Sequence, residues 1–341
     1  MSNRWPGGLI RKTPVTPAGP LQNGAAPGMW TLAEAAFWTK QGLWPIAGNV
    51  APETFAIFAL GRTAGCVLTS TRDKYTYSGC SVSAGGTATA GSERGAAAGT
   101  STVGIFALGQ TCAGVVTTRN KYTYAGCVVS AGTASTSPSQ YGSAAGNSTV
   151  GIFALGCSGA GRSTTRNKYT YSGDVVTAGG AATAATAFGS AAGTSTVGIF
   201  ALGSTSGGRV TTRDKYTYSG DVVSAGGAAT TGSSQGSATG NSTIGIFALG
   251  RTCCGRSTTR NKYTYSGDVV AAGGAATVAS ASGSAAGNST VGIFTLGCAP
   301  CASTTRNKYT YSGCVVAAGG AATAVGRCGF AASNGTSGVN M

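Results

Sequence analysis

The chain of 341 residues contains 58 glycines, only 9% charged residues and no histidine, and it carries a formal net charge of +15. A disordered chain would be richer in charge and poorer in apolar residues, so this composition favours short, tightly packed strands joined by many turns. Without histidine, and without an H-E-x-x-H pair, a P-loop or a G-x-S-x-G elbow, the sequence predicts no enzyme, no metal site and no cofactor.

Residues 1–29 form a segment rich in proline and glycine. Proline lacks the backbone donor that helices and central strands need, so an extended arm is expected. This arm is either simply disordered or a tether that lies on a partner. The first residues lack the apolar stretch of a secretory signal, and no apolar run is long enough for a transmembrane helix. The sequence therefore predicts synthesis in a cytoplasm and no membrane span.

One short helix is predicted over residues 32–41. Thr31 and Glu34 form a T-x-x-E capping box at its start. Gly42 suits the position after the last turn, and Pro45 prevents any continuation.

Aromatic residues are concentrated around this helix. The four tryptophans of the chain all lie in the first 46 residues, and three of them flank or lie on the helix together with a phenylalanine. The predicted anchors are Trp30, Phe37, Trp38 and Trp44. Such clusters are typical of protein interfaces, so residues 1–46 are expected to dock on another protein. The alternative is that the aromatic residues cap the end of the following domain.

The rest of the chain is one unit written six times. The motif GIFALG, with the variants AIFALG and GIFTLG, recurs with its isoleucines at 57, 105, 152, 199, 246 and 293. A period of about 47 residues indicates a solenoid, a propeller or a fibre array. We therefore divide the chain into a leader, residues 1–46, and a repeat domain, residues 47–341.

The sequence pattern of each unit predicts about four short strands. In the third unit, residues 150–155 alternate in the manner of a buried strand, and residues 164–171 form a second strand expected to be exposed. Residues 174–178 form another strand after a Ser-Gly turn, and a small-residue strand precedes the turn at 145–149.

The repeated motifs resemble a known family. V-G-I-F-A-L-G resembles the kelch strand that ends in a glycine pair, although Ala-Leu-Gly replaces the second glycine, and R-N-K-Y-T-Y-S-G-D resembles the strand and turn that follow. The resemblance covers residues 47–330. It implies an all-β fold, a six-bladed kelch-like β-propeller preceded by an extended arm with one short helix. An elongated trimeric fibre of stacked repeats is the competing architecture.

The chain ends with the start of a seventh unit. Residues 331–339 echo residues 144–151, which open the third unit. In a ring, this fragment would supply the missing strand of the first blade and hide sheet edges that would otherwise aggregate.

The leader carries a narrower resemblance. G-M-W-T-L-A-E-A-A-F-W-T-K-Q-G-L-W-P is similar to an adaptor segment in structural proteins of tailed bacteriophages, and kelch-like units with K-Y-T-Y also occur in phage proteins. The resemblance implies a virion structural protein, such as a fibre, decoration or tail-associated component. It would be made in the host cytoplasm, be present in several copies and dock on other virion proteins through residues 1–46. The alternative is a carbohydrate-binding module that recognises the host surface.

Twelve of the 23 basic residues belong to an Arg-x-Lys pair that occurs once per unit. Because there is no dense basic run, we interpret the pairs as a solvated strand face and expect no nucleic-acid binding. An anionic glycan or a negatively charged neighbouring subunit is the other possible partner. Two tyrosines follow each pair on one strand face and are expected to pack between neighbouring sheets, with glycan stacking as the alternative.

The loop after each GIFALG differs from unit to unit. Loops on one face of a propeller are where binding usually occurs. The six loops cover residues 62–68, 110–116, 157–163, 204–210, 251–257 and 298–303. Their short, small-residue composition argues against a deep enzyme pocket.

Two positions in each unit vary together, one late in this loop and one after the Ser-Gly turn. Three units place Arg at the first position and Asp at the second, as Arg162/Asp174, Arg209/Asp221 and Arg256/Asp268. The other three place Cys at both, as Cys66/Cys80, Cys112/Cys127 and Cys301/Cys314. The pattern predicts that the two positions touch, as an ion pair or a disulfide, either across one hairpin or between molecules stacked face to face. The alternative is that these cysteines are free thiols that act only as small apolar side chains.

Overall fold

The fold is described from a computed structural model, which covers residues 54–63, 65–299 and 301–335. All of them belong to one unit, Thr54–Met341. The predicted arm, the helix over residues 32–41 and the anchors Trp30, Phe37, Trp38 and Trp44 lie outside the described residues and stay predictions. None of the helical segments in the described ranges has the length and hydrophobicity of a membrane-spanning helix.

The described chain is all-β and forms six four-stranded antiparallel sheets, numbered 1 to 6 along the chain, with strands a to d across each sheet. Strands a of sheets 1 to 6 are Phe330–Ser333, Ala96–Gly99, Ser143–Gly146, Ser190–Gly193, Ser237–Gly240 and Ala285–Gly287. Strands b are Phe55–Ala59, Val103–Ala107, Val150–Ala154, Val197–Ala201, Ile244–Ala248 and Val291–Thr295. Strands c are Arg72–Thr76, Arg119–Thr123, Arg166–Thr170, Arg213–Thr217, Arg260–Thr264 and Arg306–Thr310. Strands d are Ser81–Ala84, Val128–Gly132, Val175–Ala178, Val222–Ala225, Val269–Ala272 and Val315–Ala318. The prediction of four short strands per unit is confirmed.

The antiparallel order separates the connections into two ends of each sheet. The a–b and c–d turns lie at one end, here called the hairpin end. The b–c loops and the connections to the next sheet lie at the other, the loop end. Four c–d turns contain a short 3₁₀ segment, at Ser78–Cys80, Ala125–Cys127, Ser266–Asp268 and Ser312–Cys314. Two-residue strands form small ribbons at the loop end, at Ser92–Glu93, Gln110–Thr111, Gly114–Val115, Cys157–Ser158, Gly161–Arg162, Ser204–Thr205, Gly208–Arg209, Arg251–Thr252 and Gly255–Arg256.

The core lies between neighbouring sheets. Ala98 and Ile105 of sheet 2 pack against Phe153, Tyr169 and Tyr171 of sheet 3, and the other junctions repeat this arrangement. A glycine in strand b allows this packing, because a Cβ on Gly151 would lie 2.7 Å from the Tyr171 hydroxyl of its own sheet and 3.2 Å from the Ala98 Cβ of sheet 2. The tyrosine pairs therefore pack between sheets as predicted. Since these tyrosines are buried, they are not surfaces on which a glycan could stack.

Strand c is buried, which corrects the expectation of an exposed strand with a solvated Arg-x-Lys face. The arginine of each pair is only 1% exposed. Arg166 reaches into the next sheet, where its Nη2 lies 2.7 Å from Asp214 Oδ2 and its guanidinium stacks 4.6 Å from the centre of the Phe200 ring. The equivalent arginines do the same, with Asn or Asp as partner. The arginine side chain is long and ends in a planar set of donors, so it can reach from one sheet to a hydrogen-bond acceptor in the next.

The C-terminal fragment supplies a strand to the first sheet, as expected. Phe330–Ser333 pairs with Phe55–Ala59, opposing Ala331 to Phe58 and Ala332 to Ile57. Asn334 extends this pairing, because its Oδ1 accepts a 2.7 Å hydrogen bond from the Phe55 amide. Strand a of each sheet lies against strands a of the sheets before and after it, and strand a of sheet 6 lies against that of sheet 1.

Candidate functional site

A backbone position two or three residues before the start of strand a repeats with unusual geometry in all six sheets. Its occupants have left-handed φ values of 55° to 62°, although none is glycine: Arg94, Tyr141, Phe188, Gln235, Ser282 and Cys328. A non-glycine residue in this conformation costs about 1–3 kcal/mol, and such strain concentrates at functional sites. The conformation is common to all six units, whereas the side chain differs in each.

Backbone hydrogen bonds join these six residues to one another. The Tyr141 amide donates to the Arg94 carbonyl at 2.8 Å, and the Phe188 amide donates to the Tyr141 carbonyl at 2.9 Å. The series continues through Gln235, Ser282 and Cys328, and it returns when the Arg94 amide donates to the Cys328 carbonyl at 2.8 Å. We call this cycle the amide ring. It fixes six different side chains at equivalent places at the loop end.

Two further positions in each unit adjoin the amide ring. One is the residue just before the ring member, and the other is the first residue of the b–c loop; backbone bonds join the two, as between Gln140 and Cys157 at 2.8 and 2.9 Å. The residues before the ring members are Glu93, Gln140, Ala187, Ser234, Ala281 and Arg327. The first loop residues are Arg62, Gln110, Cys157, Ser204, Arg251 and Cys298. We call these residues and the amide ring the mouth. Its side chains vary while the sheets beneath it stay nearly constant.

A cavity of ≈ 210 Å³ opens in the mouth. Five arginines and one acid line it: Arg62, Arg94, Arg251, Arg256, Arg327 and Glu93. The remaining lining side chains include Tyr141, Gln235, Ser282 and Cys328. The lining therefore carries a large excess of positive charge.

One wall of the cavity is held by a buried carboxylate. Glu93 is 0% exposed, and its Oε1 lies 2.5 Å from Arg62 Nη2 and 3.2 Å from Arg94 Nε. Burial acts to lower the pKa of Arg62, but the hydrogen bond and charge of Glu93 outweigh it and raise this pKa above its ordinary value. The wall is thus cationic and fixed in position.

The amide ring adds aromatic surface next to this wall. Arg94 lies over the Tyr141 ring, 4.7 Å from its centre, and the Tyr141 and Phe188 rings lie 4.0 Å apart. Arg94 Nη1 also donates to the amide oxygens of Gln110 and Gln140. These contacts leave Arg94 little rotational freedom.

Three further arginines, Arg251, Arg256 and Arg327, line the cavity without an acidic partner among the residues that the structure describes. Arg256 Nη2 lies 3.2 Å from Cys298 Sγ, and Arg327 Nη2 lies 3.4 Å from Cys66 Sγ. Within the described residues, no carboxylate forms an ion pair with Arg251, Arg256 or Arg327. Burial raises the pKa of the Cys328 thiol, so this side chain stays neutral and adds no negative charge to the cavity.

The structure does not bring the predicted Arg–Asp partners together. Asp174 lies at the hairpin end, where its carboxylate accepts from Lys121 Nζ at 2.9 Å and from the Tyr169 hydroxyl at 2.8 Å. Arg162 lies at the loop end and reaches Ser204 of the next sheet at 3.5 Å. Asp221 and Asp268 pair in the same way with Lys168 and Lys215, and Arg209 and Arg256 contact Ser234 and Cys298. Both positions therefore link neighbouring sheets, but at opposite ends.

The cysteine pairs are separated by the same strand. Cys66, Cys112 and Cys301 lie at the loop end, Cys80, Cys127 and Cys314 lie at the hairpin end, and all six are free thiols. A five-residue strand c spans about 17 Å, whereas a disulfide needs Cα atoms about 4.4–6.8 Å apart. The hairpin version of the pairing does not hold within one chain, while disulfides between stacked molecules stay a prediction.

Sequence reasoning pointed to the b–c loops but missed Glu93 and the amide ring. The available signal was a single residue that varies between units. It lies just before a glycine that every unit has ahead of strand a, in a segment otherwise interpreted as a linker. Its left-handed conformation has no mark in the sequence, because none of the six residues is glycine. In the described part of the chain, no three or more Cys, Asp or Glu side chains are grouped to hold a metal ion.

Comparison of the chain with protein-family models and with curated proteins found no match.

Proposed function

We propose that the repeat domain is a six-bladed β-propeller in which each four-stranded sheet is one blade. Three observations support this architecture. The a strands neighbour one another in a cyclic order, the amide ring passes through all six sheets, and the starts of the a strands line one common space of ≈ 60 Å³. Phe330–Ser333 would then complete the first blade with the end of the chain, which favours a ring over an elongated stack of repeats.

We further propose that the protein is a non-enzymatic structural component of a phage virion, which displays the propeller and docks through residues 1–46. The observation that carries the display role is the contrast between a nearly constant frame and a variable mouth at one end. A frame whose sheets are linked by buried arginines is suited to presenting different side chains in fixed places. The virion context rests on the resemblance of the leader and of the K-Y-T-Y units.

Replacing Trp38 and Trp44 with alanine tests the docking role. Burial of one large aromatic side chain contributes about 1.5–3 kcal/mol, so the double variant should fold normally but fail to enter particles. Trp5→Ala, outside the predicted anchor set, is the matched control and should be incorporated. Normal incorporation of the double variant, measured by the protein content of purified particles, would contradict docking through these residues.

A carbohydrate-binding module for the host surface is the second candidate. It is favoured by the mouth, where five arginines, the amide of Gln235 and the aromatic ring of Tyr141 line a cavity. Removing residues 1–46 separates the two candidates. A purely structural component would lose assembly and show no glycan binding, whereas a lectin would keep its binding to glycan.

A further inference from the structure

We propose that the mouth cavity binds the anionic group, a carboxylate or a sulfate, of an acidic saccharide. This inference rests on the second candidate function and names its ligand class and its site. The cavity is lined by Arg62, Arg94, Arg251, Arg256 and Arg327.

Charge gives the first reason. Five guanidinium groups and one carboxylate face the same ≈ 210 Å³, and the carboxylate is already committed to Arg62 and Arg94. Like charges gathered in a concave site repel one another, and a bound anion relieves this repulsion. The guanidinium fork matches the paired oxygens of a carboxylate or a sulfate.

Preorganisation gives the second reason. Glu93, fully buried, holds Arg62 and Arg94, while the amide ring holds the Arg94 backbone in its left-handed conformation. A binding site whose side chains are already ordered loses less conformational entropy when its ligand arrives. An arginine needed only for solubility would not require a buried acid and a strained backbone to position it.

The shape and the remaining lining favour a saccharide. Tyr141 offers a half-buried ring, and Gln235 and Ser282 offer polar groups suited to hydroxyls. The cavity is smaller than the roughly 300–1,000 Å³ of common ligand pockets, so it fits one sugar-sized group at the end of a chain. A nucleic acid would need a basic stripe along the surface, and these arginines instead converge on one point.

The test measures binding of four probes to the full chain by calorimetry. The probes are a galacturonic acid oligosaccharide, a sulfated galactose oligosaccharide, a neutral galactose oligosaccharide of equal length, and inorganic sulfate. At least one acidic saccharide should bind, and its affinity should fall with added salt. The neutral saccharide should bind at least about tenfold more weakly, since hydrogen bonds to charged groups are the stronger ones.

Matched variants locate the site. Arg256→Gln and Arg251→Gln should each weaken acidic saccharide binding about tenfold, because each removes a charged donor from the cavity. Arg162→Gln is the control: Arg162 occupies the position of Arg256 in sheet 3, is exposed in the same way and does not line the cavity. All three side chains are at the surface, so unchanged melting temperatures should show that the variants remain folded.

Three results would overturn both the inference and the evidence for carbohydrate recognition at this site. They are equal loss in Arg162→Gln and Arg256→Gln, binding of inorganic sulfate without any acidic saccharide, and no binding of any probe. Equal binding of the neutral saccharide would overturn the inference but would leave carbohydrate recognition standing. Incorporation into particles is scored separately through Trp38 and Trp44, so failure here is distinguishable from failure of the structural role.

Discussion

Each buried arginine of strand c connects two sheets. The charge of its partner determines how much stability the arginine contributes. Arg166 faces the carboxylate of Asp214, whereas Arg119 faces the neutral amide of Asn167 at 3.1 Å. Burial lowers the pKa of Arg119 to about 10, and it also lowers that of Arg166, where the hydrogen bond and charge of Asp214 oppose the shift. The protein thus contains the same cation in two electrostatic settings.

We expect Arg166→Ala to lower the free energy of unfolding by about 3–5 kcal/mol, because it leaves Asp214 as a buried, uncompensated charge. Arg119→Ala removes one of two donors to a neutral amide oxygen, because the Thr136 amide still donates to Asn167 Oδ1. It should cost about 0.5–1.5 kcal/mol for the lost hydrogen bond, with lost packing added equally in both variants. Urea unfolding measures the difference. Equal losses would show that the carboxylate is not what makes Arg166 important.

The aspartates of the c–d turns make the stability of the fold depend on pH in the acid range. Burial acts to raise the pKa of Asp174, but hydrogen bonds from Lys121 and Tyr169 outweigh it and hold this pKa below its ordinary value of 3.8. Asp268 is shifted in the same direction by Lys215 and Tyr263. A carboxyl group with a lowered pKa in the folded state stabilises the fold above its unfolded pKa, and this stabilisation is lost as the pH falls through the folded value.

We therefore expect the melting temperature to fall as the pH drops below 3.8, and Asp174→Asn to reduce the steepness of that fall. The substitution should act at neutral pH as well, where it removes the ion pair. Thermal unfolding across the acid range checks both effects. An identical pH profile for the wild type and Asp174→Asn would contradict the assigned role of the Lys121 contact.

The strand formed by Phe330–Ser333 is the element on which sheet 1 depends. Phe330 is 3% exposed and lies 6.0 Å from the Phe106 ring, and the Tyr77 hydroxyl donates to Ser333 Oγ at 2.9 Å. Without this strand, the edge of Phe55–Ala59 loses its backbone partners. An open strand edge and an exposed apolar face also favour aggregation.

Deleting residues 331–341 should consequently lower the melting temperature sharply and make the protein prone to aggregate. Deleting residues 336–341 alone, beyond the paired strand, is the control and should leave the melting temperature nearly unchanged. Differential scanning fluorimetry with light scattering measures both properties. A shortened chain that melts like the full one would mean that strand a of sheet 1 contributes little.

For the whole molecule, ring and fibre architectures differ in size. A compact chain of residues 47–341 should have a radius of gyration of about 19 Å. A trimeric fibre of stacked repeats would be several times longer than wide and would give a larger value. Small-angle scattering of a chain lacking residues 1–46 distinguishes the two, with the measured mass as a control for the number of copies.

The sequence alone determined the repeat and several of the features that recur in every unit. The period, strand b, the tyrosine pairs and the strand supplied by the C-terminal fragment follow from alternation of apolar residues and from self-similarity, which are local or countable properties. The variable b–c loops are predictable for the same reason, because residues that differ between otherwise similar units can be recognised in the sequence. The sequence therefore indicates that the residues of the b–c loops differ most between units.

Only the tertiary structure decided which unit each residue contacts. Lys121 pairs with Asp174 of the next sheet, while Arg162 of the same unit as Asp174 does not. Because all units carry nearly the same residues, a contact within one unit and a contact with its neighbour leave the same pattern in the sequence. The burial of Arg166 and the convergence of Arg62, Arg94 and Arg251 depend on how sheets pack side by side. That packing brings residues from separate repeats together, a relation that no period along the chain contains.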